Sequence, residues 1–294
     1  MIRIFTASFL LLFSLDLAAA QVRIRTIAIL DPGQSSFAQK SLETIRQSFR
    51  TAEFDVLDQD LVRSAAKGIG YSGSLNLSLN QARELGAAIE ADFLVLGDAQ
   101  VLRRTSSERP VYFEAYCSIF IVSSRTGQLV SWERPSFTDA SSTIAEQLLL
   151  RQIATKESLQ RWISAIKAAE DHEHAERNIL TDANVPVIEA PEDDKEAITK
   201  GLQLPRPYRR YRPDYPETAA QADVEATVDV LVDVGADGEI SRVQIDRWAG
   251  FGLDEATMMT VKRLHFFPAK QNGTPVAMRV LLRYNFRRPT TSQQ

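Results

Sequence analysis

Two stretches in which apolar residues recur at every second position constrain this chain more than any other feature. Thr227–Val234 alternates valines with Asp229, Leu231 and Asp233, and Ile240–Trp248 alternates in the same way. A side-chain period of two is that of a β-strand with one buried face. Asp237-Gly238 lies between the two stretches, and such a dipeptide favours a hairpin turn because glycine adopts a positive φ without steric cost. The pattern therefore predicts an antiparallel hairpin.

A helix and a last strand follow this hairpin. The apolar spacing of Leu253–Leu264 predicts a helix, which must end before Pro268 because proline cannot continue it. An Asn272-Gly273 turn then leads into a predicted strand, Pro275–Phe286. The result is an α+β module of β-β-α-β order over residues 204–288. So small a sheet exposes an edge, to which an extended peptide can add a strand.

The motifs of this module resemble the C-terminal domain of the TonB family. They are Tyr215-Pro216 followed by Ala219, then Asp237–Ile240, Gly252–Ala256 and Phe266–Val276. The resemblance implies a binding fold whose edge strand pairs with a short peptide of an outer-membrane receptor. Carried over by position, the binding residues are Tyr211, Tyr215, Pro216, Val276, Met278, Val280, Leu282 and Tyr284.

Residues 21–169 are predicted to form an α/β domain with a mixed sheet. Strands are expected at 23–30, 54–57, 92–101, 110–123 and 128–132, and helices at 35–50, 58–68, 78–89 and 142–169. Asp58 is a predicted N-cap, and Ser78 with Gln81 fits a capping box. The order of strands and helices indicates layers of helices on a sheet.

Parts of this first domain resemble, more weakly, the CsgG and LpoB type of periplasmic envelope proteins. The matching segments are Ile27–Leu30, Phe54–Leu57, Leu85–Gly97 and Arg125–Leu129. This resemblance implies a non-enzymatic domain that acts in assembly, secretion or partner activation.

Residues 170–203 differ in composition from the rest of the chain. Residues 170–200 contain ten acidic and three basic residues, a net charge of −7. With Pro186 and Pro191 and few large apolar residues, the segment is typical of a flexible, solvated linker. We therefore expect the C-terminal module to move relative to the first domain.

The N-terminus has the pattern of a secretory signal peptide. Arg3 supplies the positive charge, Phe9–Phe13 the apolar run and Ala18–Ala20 the small residues of a cleavage site. We expect cleavage after Ala20 and a periplasmic protein. An uncleaved, single-pass inner-membrane anchor is the alternative. Residues 289–294 are expected to form a disordered tail.

Composition argues against several classes of function. The net charge of −4 is not that of a nucleic-acid-binding protein. Cys117 is a single cysteine in a strand-like run, so we interpret it as a buried small hydrophobic residue. No catalytic constellation, cofactor motif or metal-ligand cluster is recognised. One basic cluster remains as a candidate contact surface, and it comprises Arg206, Arg209, Arg210 and Arg212.

These observations predict a non-enzymatic, exported envelope protein that binds a protein partner by strand addition and is linked to transport across the envelope. The partner would be an outer-membrane receptor or another envelope complex. Two alternatives stay open: an inner-membrane-anchored energy transducer of the TonB type, and a protein that binds cell-wall glycan through the basic cluster. Formation of homo-oligomers is also left open.

Overall fold

The computed structural model describes residues 24–31, 33–52, 54–107, 111–179, 187–191 and 194–288. The predicted signal peptide, the tail and residues 180–186 of the predicted linker lie outside these ranges. Within them the chain is a mixed α/β protein with several sheets.

The N-terminal part contains six strands and five helices. In chain order they are β1 (Arg25–Ile29), α1 (Ser36–Arg50), β2 (Phe54–Val56), α2 (Gln59–Gly68), α3 (Leu79–Ile89), β3 (Phe93–Arg104), β4 (Tyr112–Ser123), β5 (Leu129–Glu133), β6 (Ser136–Asp139), α4 (Ser142–Ile153) and α5 (Lys156–Ile179). Asp58 caps α2, and Ser78 with Gln81 forms the capping box of α3, as the sequence predicts.

Five of these strands form one mixed sheet in the order β2-β1-β3-β4-β5, and β6 also pairs with β4. β1 is parallel to β2 and β3, whereas β3, β4 and β5 are antiparallel. Both faces are buried: Ile27 and Ile29 pack under α1, α4 and α5, and Ala28 and Leu30 pack under α2 and α3. This double burial explains the continuous apolar run of β1. Cys117 is fully buried in β4, and burial raises its pKa to about 12.

The predicted helix at 142–169 is in fact two helices, and the second runs past Ala169. The break lies at Thr155, whose hydroxyl accepts a hydrogen bond from the Ser158 N–H at 3.2 Å and so caps α5. Beyond Ala169 two acidic residues of α5 have partners in the N-terminal part. The Glu170 carboxylate lies 2.6 Å from Arg25, and that of Glu173 accepts from the Ser123 hydroxyl at 2.8 Å.

The remaining elements belong to the C-terminal module and its approach. They are β7 (Ile188–Glu189), α6 (Asp194–Thr199), β8 (Leu202–Gln203), β9 (Arg206–Pro207), α7 (Glu217–Gln221), β10 (Ala226–Val234), β11 (Ile240–Arg247), α8 (Leu253–Val261), β12 (Phe266–Phe267), β13 (Ala269–Gln271), β14 (Thr274–Val276) and β15 (Met278–Phe286). β10, β11 and β15 are the long strands, and β12, β13 and β14 lie between α8 and β15. The Gly235–Gly238 turn joins β10 to β11, and a Cβ at Gly238, where φ is +86°, would lie 2.0 Å from the Phe266 carbonyl oxygen.

Two short segments of the predicted linker, β7 and β8, pair with this module, as does β9 at the start of the module itself. β7 pairs with β15, β8 with β13, and β9 with β12. Backbone hydrogen bonds satisfy these segments, and Ile188 and Leu202 also pack with Met278 in a small hydrophobic cluster. A polar composition therefore did not mean an unpaired chain in this region.

The two parts of the chain also share one hydrophobic core, which differs from the expected free movement of the module. Phe120 of β4 stacks on Trp248 with 5.9 Å between ring centroids, and Phe251 lies 5.5 Å from Phe120 and 5.3 Å from Trp132. The Trp248 indole N–H donates to the Gly127 carbonyl at 3.0 Å. The composition of the linker does not predict this contact, because the residues that form it lie outside the linker.

Asn76 joins the two parts by hydrogen bonds as well. Its Nδ2 donates to the carbonyls of Thr227 at 2.9 Å and Trp248 at 2.6 Å, and its Oδ1 accepts from the Thr227 N–H at 3.2 Å. The loop that carries Asn76, which the sequence shows only as Gly/Ser/Asn-rich, is therefore a structural link. None of the helices that the structure describes is both long and apolar enough to span a bilayer.

Candidate functional site

The last strand, β15, forms the candidate site because one of its edges is only partly paired. The sheet of the module has the order β11-β10-β15-β7. On one edge β15 pairs with β10 over its whole length, from Met278 opposite Val234 to Phe286 opposite Ala226. On the other edge it pairs only with the two-residue strand β7, opposite Met278 and Arg279.

β7 occupies the beginning of this second edge. The Ile188 N–H donates to the Ala277 carbonyl at 3.1 Å, and the Ala190 N–H donates to the Arg279 carbonyl at 2.9 Å. The Glu189 carboxylate also accepts from the Arg279 guanidinium at 3.0 Å. The chain thus places a short parallel strand of its own where a partner strand would pair.

Beyond Arg279 the edge is open within the described chain. Successive residues of a strand turn their backbone N–H and C=O groups to opposite edges, so Leu281, Arg283 and Asn285 present theirs on the same side as Ala277 and Arg279. No strand of the described residues pairs with them there. The Leu281 side chain is 48% exposed beside this edge. The arrangement provides donors and acceptors at strand spacing, which an extended peptide can satisfy.

Ion pairs join the edge strand β15 to the neighbouring strand β10. Arg279 binds Asp233 of β10 at 2.6 Å, and Arg283 binds Asp229 at 2.7 Å. Arg247 of β11 reaches Asp229 from the other side at 3.2 Å. These pairs explain the alternation of valine and aspartate in β10: the valines face the core, and the arginines cover the aspartates.

The pKa values follow from these contacts. Burial alone would raise the pKa of Asp229, but hydrogen bonds and charges from Arg283 and Arg247 outweigh it, so the pKa is lowered. The pKa of Arg279 is raised, chiefly by its hydrogen bond to Asp233. The lowered pKa keeps the Asp229 carboxylate ionised at neutral pH.

The structure places the predicted binding residues of the last strand along this edge, but most of their side chains face inward. Met278 is fully buried, and Val280, Leu282 and Tyr284 are half-buried against the shared core. Val276 ends β14, just before β15. A partner strand on this edge would therefore bind the backbone groups of the residues between them, and would contact the exposed side chains on the opposite face of the sheet.

The other predicted binding residues lie near the start of the module, and of these the Tyr215 ring lies 6.4 Å from that of Phe286 at the end of β15. Pro216 is the N-cap of α7, and the Tyr215 hydroxyl donates to the Val224 carbonyl at 2.5 Å. The Tyr211 ring has the guanidinium of Arg263 5.0 Å from its centroid and that of Arg209 at 5.9 Å. Tyr215 and Tyr211 both pack against the core.

The basic cluster lies beside β9. Arg206 belongs to β9 itself, and Arg209, Arg210 and Arg212 follow it, all exposed. β9 pairs with β12, so the cluster meets residues that come after α8. The sequence does not predict that the residues after α8 lie beside the basic cluster, because the pairing of two-residue strands leaves no periodic pattern.

The histidines and acidic residues of the described chain form no group of three that could hold a metal ion. His265 is exposed, and its Nδ1 lies 3.1 Å from both carboxylate oxygens of Glu239. It follows α8 in the chain.

Comparison with known proteins supports the TonB-like part. Residues 211–287 match the model of the family described as Gram-negative bacterial TonB protein C-terminal. The solution structure of the TonB C-terminal domain from Pseudomonas aeruginosa shares 23% identity at a TM-score of 0.25, over 31% of this chain and 90% of that one. No curated protein matches the chain.

Two further solved structures are similar. The hypothetical protein CT253 from Chlamydia trachomatis has 13% identity and a TM-score of 0.32, over 44% of this chain and 93% of that one. The LpoB C-terminal domain from Salmonella enterica has 13% identity and a TM-score of 0.28, over 40% and 87%. These scores are low, so the similarity assigns neither a fold nor a function to the whole chain.

Proposed function

We propose that this chain is a non-enzymatic protein of the periplasm that binds a partner protein by strand addition to the open edge of β15. The observation that carries the proposal is the run of unpaired backbone groups at Leu281, Arg283 and Asn285. The match of residues 211–287 to a TonB C-terminal family supports the same mode of binding. The partner would be an outer-membrane receptor or another envelope complex in transport.

Strand addition here relies on the backbone more than on side chains. A main-chain hydrogen bond to the partner replaces hydrogen bonds to water, so it contributes little net binding energy. A bond that is not formed in the complex leaves a buried donor or acceptor without a partner, which costs about 1–3 kcal/mol. Exposed Leu281 offers an apolar contact on one face, and Arg283 offers a charge. We infer that these two side chains contribute to the choice of partner.

The test is a substitution that removes one edge donor and leaves the fold intact. Leu281→Pro removes the outward N–H, and proline is tolerated on an edge strand. We expect capture of envelope partners by the immobilised protein to weaken at least about fivefold, because the partner carbonyl opposite residue 281 loses its donor.

Leu281→Ala is the matched control, because it removes the side chain and keeps the N–H. We expect the alanine variant to lose only the apolar contact of the Leu281 side chain, and therefore to retain more of the partner than the proline variant does. If both variants capture the partner as the unmodified protein does, with circular dichroism showing the same fold, the edge of β15 is not the binding site.

A further inference from the structure

A surface of exposed arginine and lysine side chains lies away from the open edge of β15, and strand addition does not account for it. Pairing of β9 with β12 brings together two basic runs that are far apart in the sequence. The Tyr208 N–H donates to the His265 carbonyl at 2.8 Å and extends this pairing. The surface, called the basic patch below, consists of Arg206, Arg209, Arg210, Arg212, Lys262 and Arg263.

In the described part of the chain no carboxylate pairs with the cations of the basic patch, and Glu239 binds His265 instead. In the part of the chain that the structure describes, none of the six side chains forms an ion pair or a side-chain hydrogen bond, whereas Arg247, Arg279 and Arg283 of the same module all do. Residues 206–212 and 262–270 contain no acidic residue. The chain as a whole has a net charge of −4, so this concentration of positive charge is local.

Two exposed aromatic rings accompany these charges. Tyr208 is 60% exposed and Phe267 is 55% exposed, and their ring centroids lie 4.2 Å apart. Phe267 is the β-sheet partner of Arg206, so the aromatic pair borders the cations directly. Aromatic side chains next to basic ones are typical of surfaces that meet the interface between water and lipid.

The partner must therefore be anionic and accept apolar rings. The main cavities of the described chain are lined by other residues, so the patch is not part of a cleft that would enclose a peptide. We propose that the basic patch docks this protein on an anionic lipid surface, with the arginines against the phosphate headgroups and the Tyr208–Phe267 pair at the level of the headgroups. An acidic protein surface is the competing partner, and the test separates the two.

The first arm of the test is co-sedimentation of the purified protein with vesicles of phosphatidylcholine, alone or mixed with phosphatidylglycerol. We expect binding to the anionic vesicles, little to the neutral ones, and a loss of binding as salt is raised, since exposed charges are screened within a Debye length of about 10 Å at 0.1 M salt. Equal binding to both kinds of vesicle, or binding that salt does not weaken, overturns the proposal. This arm needs no variant.

The second arm compares two variants that each remove four charges. Arg206→Gln/Arg209→Gln/Arg210→Gln/Arg212→Gln alters the patch, and Lys67→Gln/Arg83→Gln/Arg151→Gln/Lys156→Gln alters exposed cations on α2, α3, α4 and α5. We expect the first variant to bind anionic vesicles at least about tenfold more weakly, because each basic residue near the surface contributes to the affinity. We expect the second to bind as the unmodified protein does. Equal losses would show that net charge, not this patch, governs binding.

The third arm distinguishes lipid from an acidic protein surface. Tyr208→Ser/Phe267→Ser removes the aromatic pair and keeps every charge. We expect it to weaken binding to anionic vesicles and to leave binding of soluble polyglutamate unchanged. If the variant binds vesicles as well as the unmodified protein and both bind polyglutamate equally, the patch recognises acidic protein and the lipid proposal is wrong.

Discussion

The Asp254 carboxylate stabilises the turn at which the two parts of the chain meet. It accepts hydrogen bonds from the Ala249 N–H at 2.9 Å and the Gly250 N–H at 2.8 Å, and so holds the turn that carries Trp248 and Phe251 into the shared core. Burial disfavours its charged form and raises its pKa to about 6, although the two hydrogen bonds act in the opposite direction. The folded protein therefore retains this proton to higher pH than the unfolded chain does.

A raised carboxylate pKa predicts that the stabilising contribution of this group falls as pH rises. Between the usual pKa near 3.8 and the folded value of about 6, the folded state binds more protons, so the free energy of unfolding should decrease by up to about 3 kcal/mol from this group and then level off. Urea denaturation across this range should show the decrease in the unmodified protein and in the neighbouring exposed variant Glu255→Gln. It should be absent in Asp254→Asn, and parallel profiles for all three proteins would contradict the assignment.

At the scale of elements, β7 and β15 form a pairing that a partner strand would have to share or displace. β7 is only two residues long, and the described structure holds it there with two backbone hydrogen bonds and the Glu189–Arg279 ion pair. Glu189 is 68% exposed in its side chain, so that pair adds little. Ile188 and Ala190 also pack against the small hydrophobic cluster that contains Met278. We infer that so short a pairing can still exchange with an external strand.

This short pairing leads to a prediction for Ala190→Pro, which removes the N–H that donates to Arg279 at 2.9 Å. We expect the loss of one hydrogen bond, about 0.5–1.5 kcal/mol, to loosen β7 and to raise the affinity for the partner captured by the Leu281→Ala variant by roughly two- to tenfold. Surface plasmon resonance can measure the change. Glu189→Ala, which keeps the backbone bonds, should have a smaller effect, and an unchanged affinity in Ala190→Pro would mean that β7 does not compete for the edge.

At the scale of the whole molecule, the two parts of the chain pack as one hydrophobic unit. Phe120, Trp132, Trp248 and Phe251 fill the junction, and Gly250 allows their close approach. A Cβ at Gly250 would lie 2.6 Å from the Phe120 ring, and its φ of +72° is itself unfavourable for other residues. Removing residues 204–294 would therefore expose core residues of the N-terminal part, so point variants are the better test of binding.

Gly250→Ala should destabilise both parts together. The left-handed φ costs about 1–2 kcal/mol and the contact with Phe120 about 1–3 kcal/mol more. Gly70→Ala is the matched control, because Gly70 has a φ of +76° with no atom within 4 Å of the added Cβ, so only the first cost applies.

Urea unfolding followed by tryptophan fluorescence and by far-ultraviolet circular dichroism gives the measurement. We expect a larger loss of stability for Gly250→Ala than for Gly70→Ala, with coincident transitions for both probes. Two separate transitions would show that the two parts unfold independently, and equal losses would show that the contact of residue 250 with Phe120 adds no cost.

The sequence by itself determined the local elements and the TonB-like module. These features depend on neighbours within a few residues, so the sequence alone predicts them. They are the alternating valines of β10, the Asp237-Gly238 turn, the Asp58 cap and the Ser78–Gln81 capping box. The same motifs predict that the last strand carries the binding edge. The interpretation of Cys117 as a buried residue was confirmed as well.

Only the tertiary structure decided how these elements meet. The stacking of Phe120 on Trp248, the pairing of β7 with β15 and the joining of Arg206–Arg212 to Lys262 and Arg263 each connect residues distant in the chain. Such contacts depend on how side chains fit together in three dimensions and on backbone hydrogen bonds. Because nearly every residue carries the same backbone donor and acceptor, composition does not predict these contacts. For that reason the acidic segment had the composition of a free linker, whereas its described residues extend a helix and pair with the module they precede.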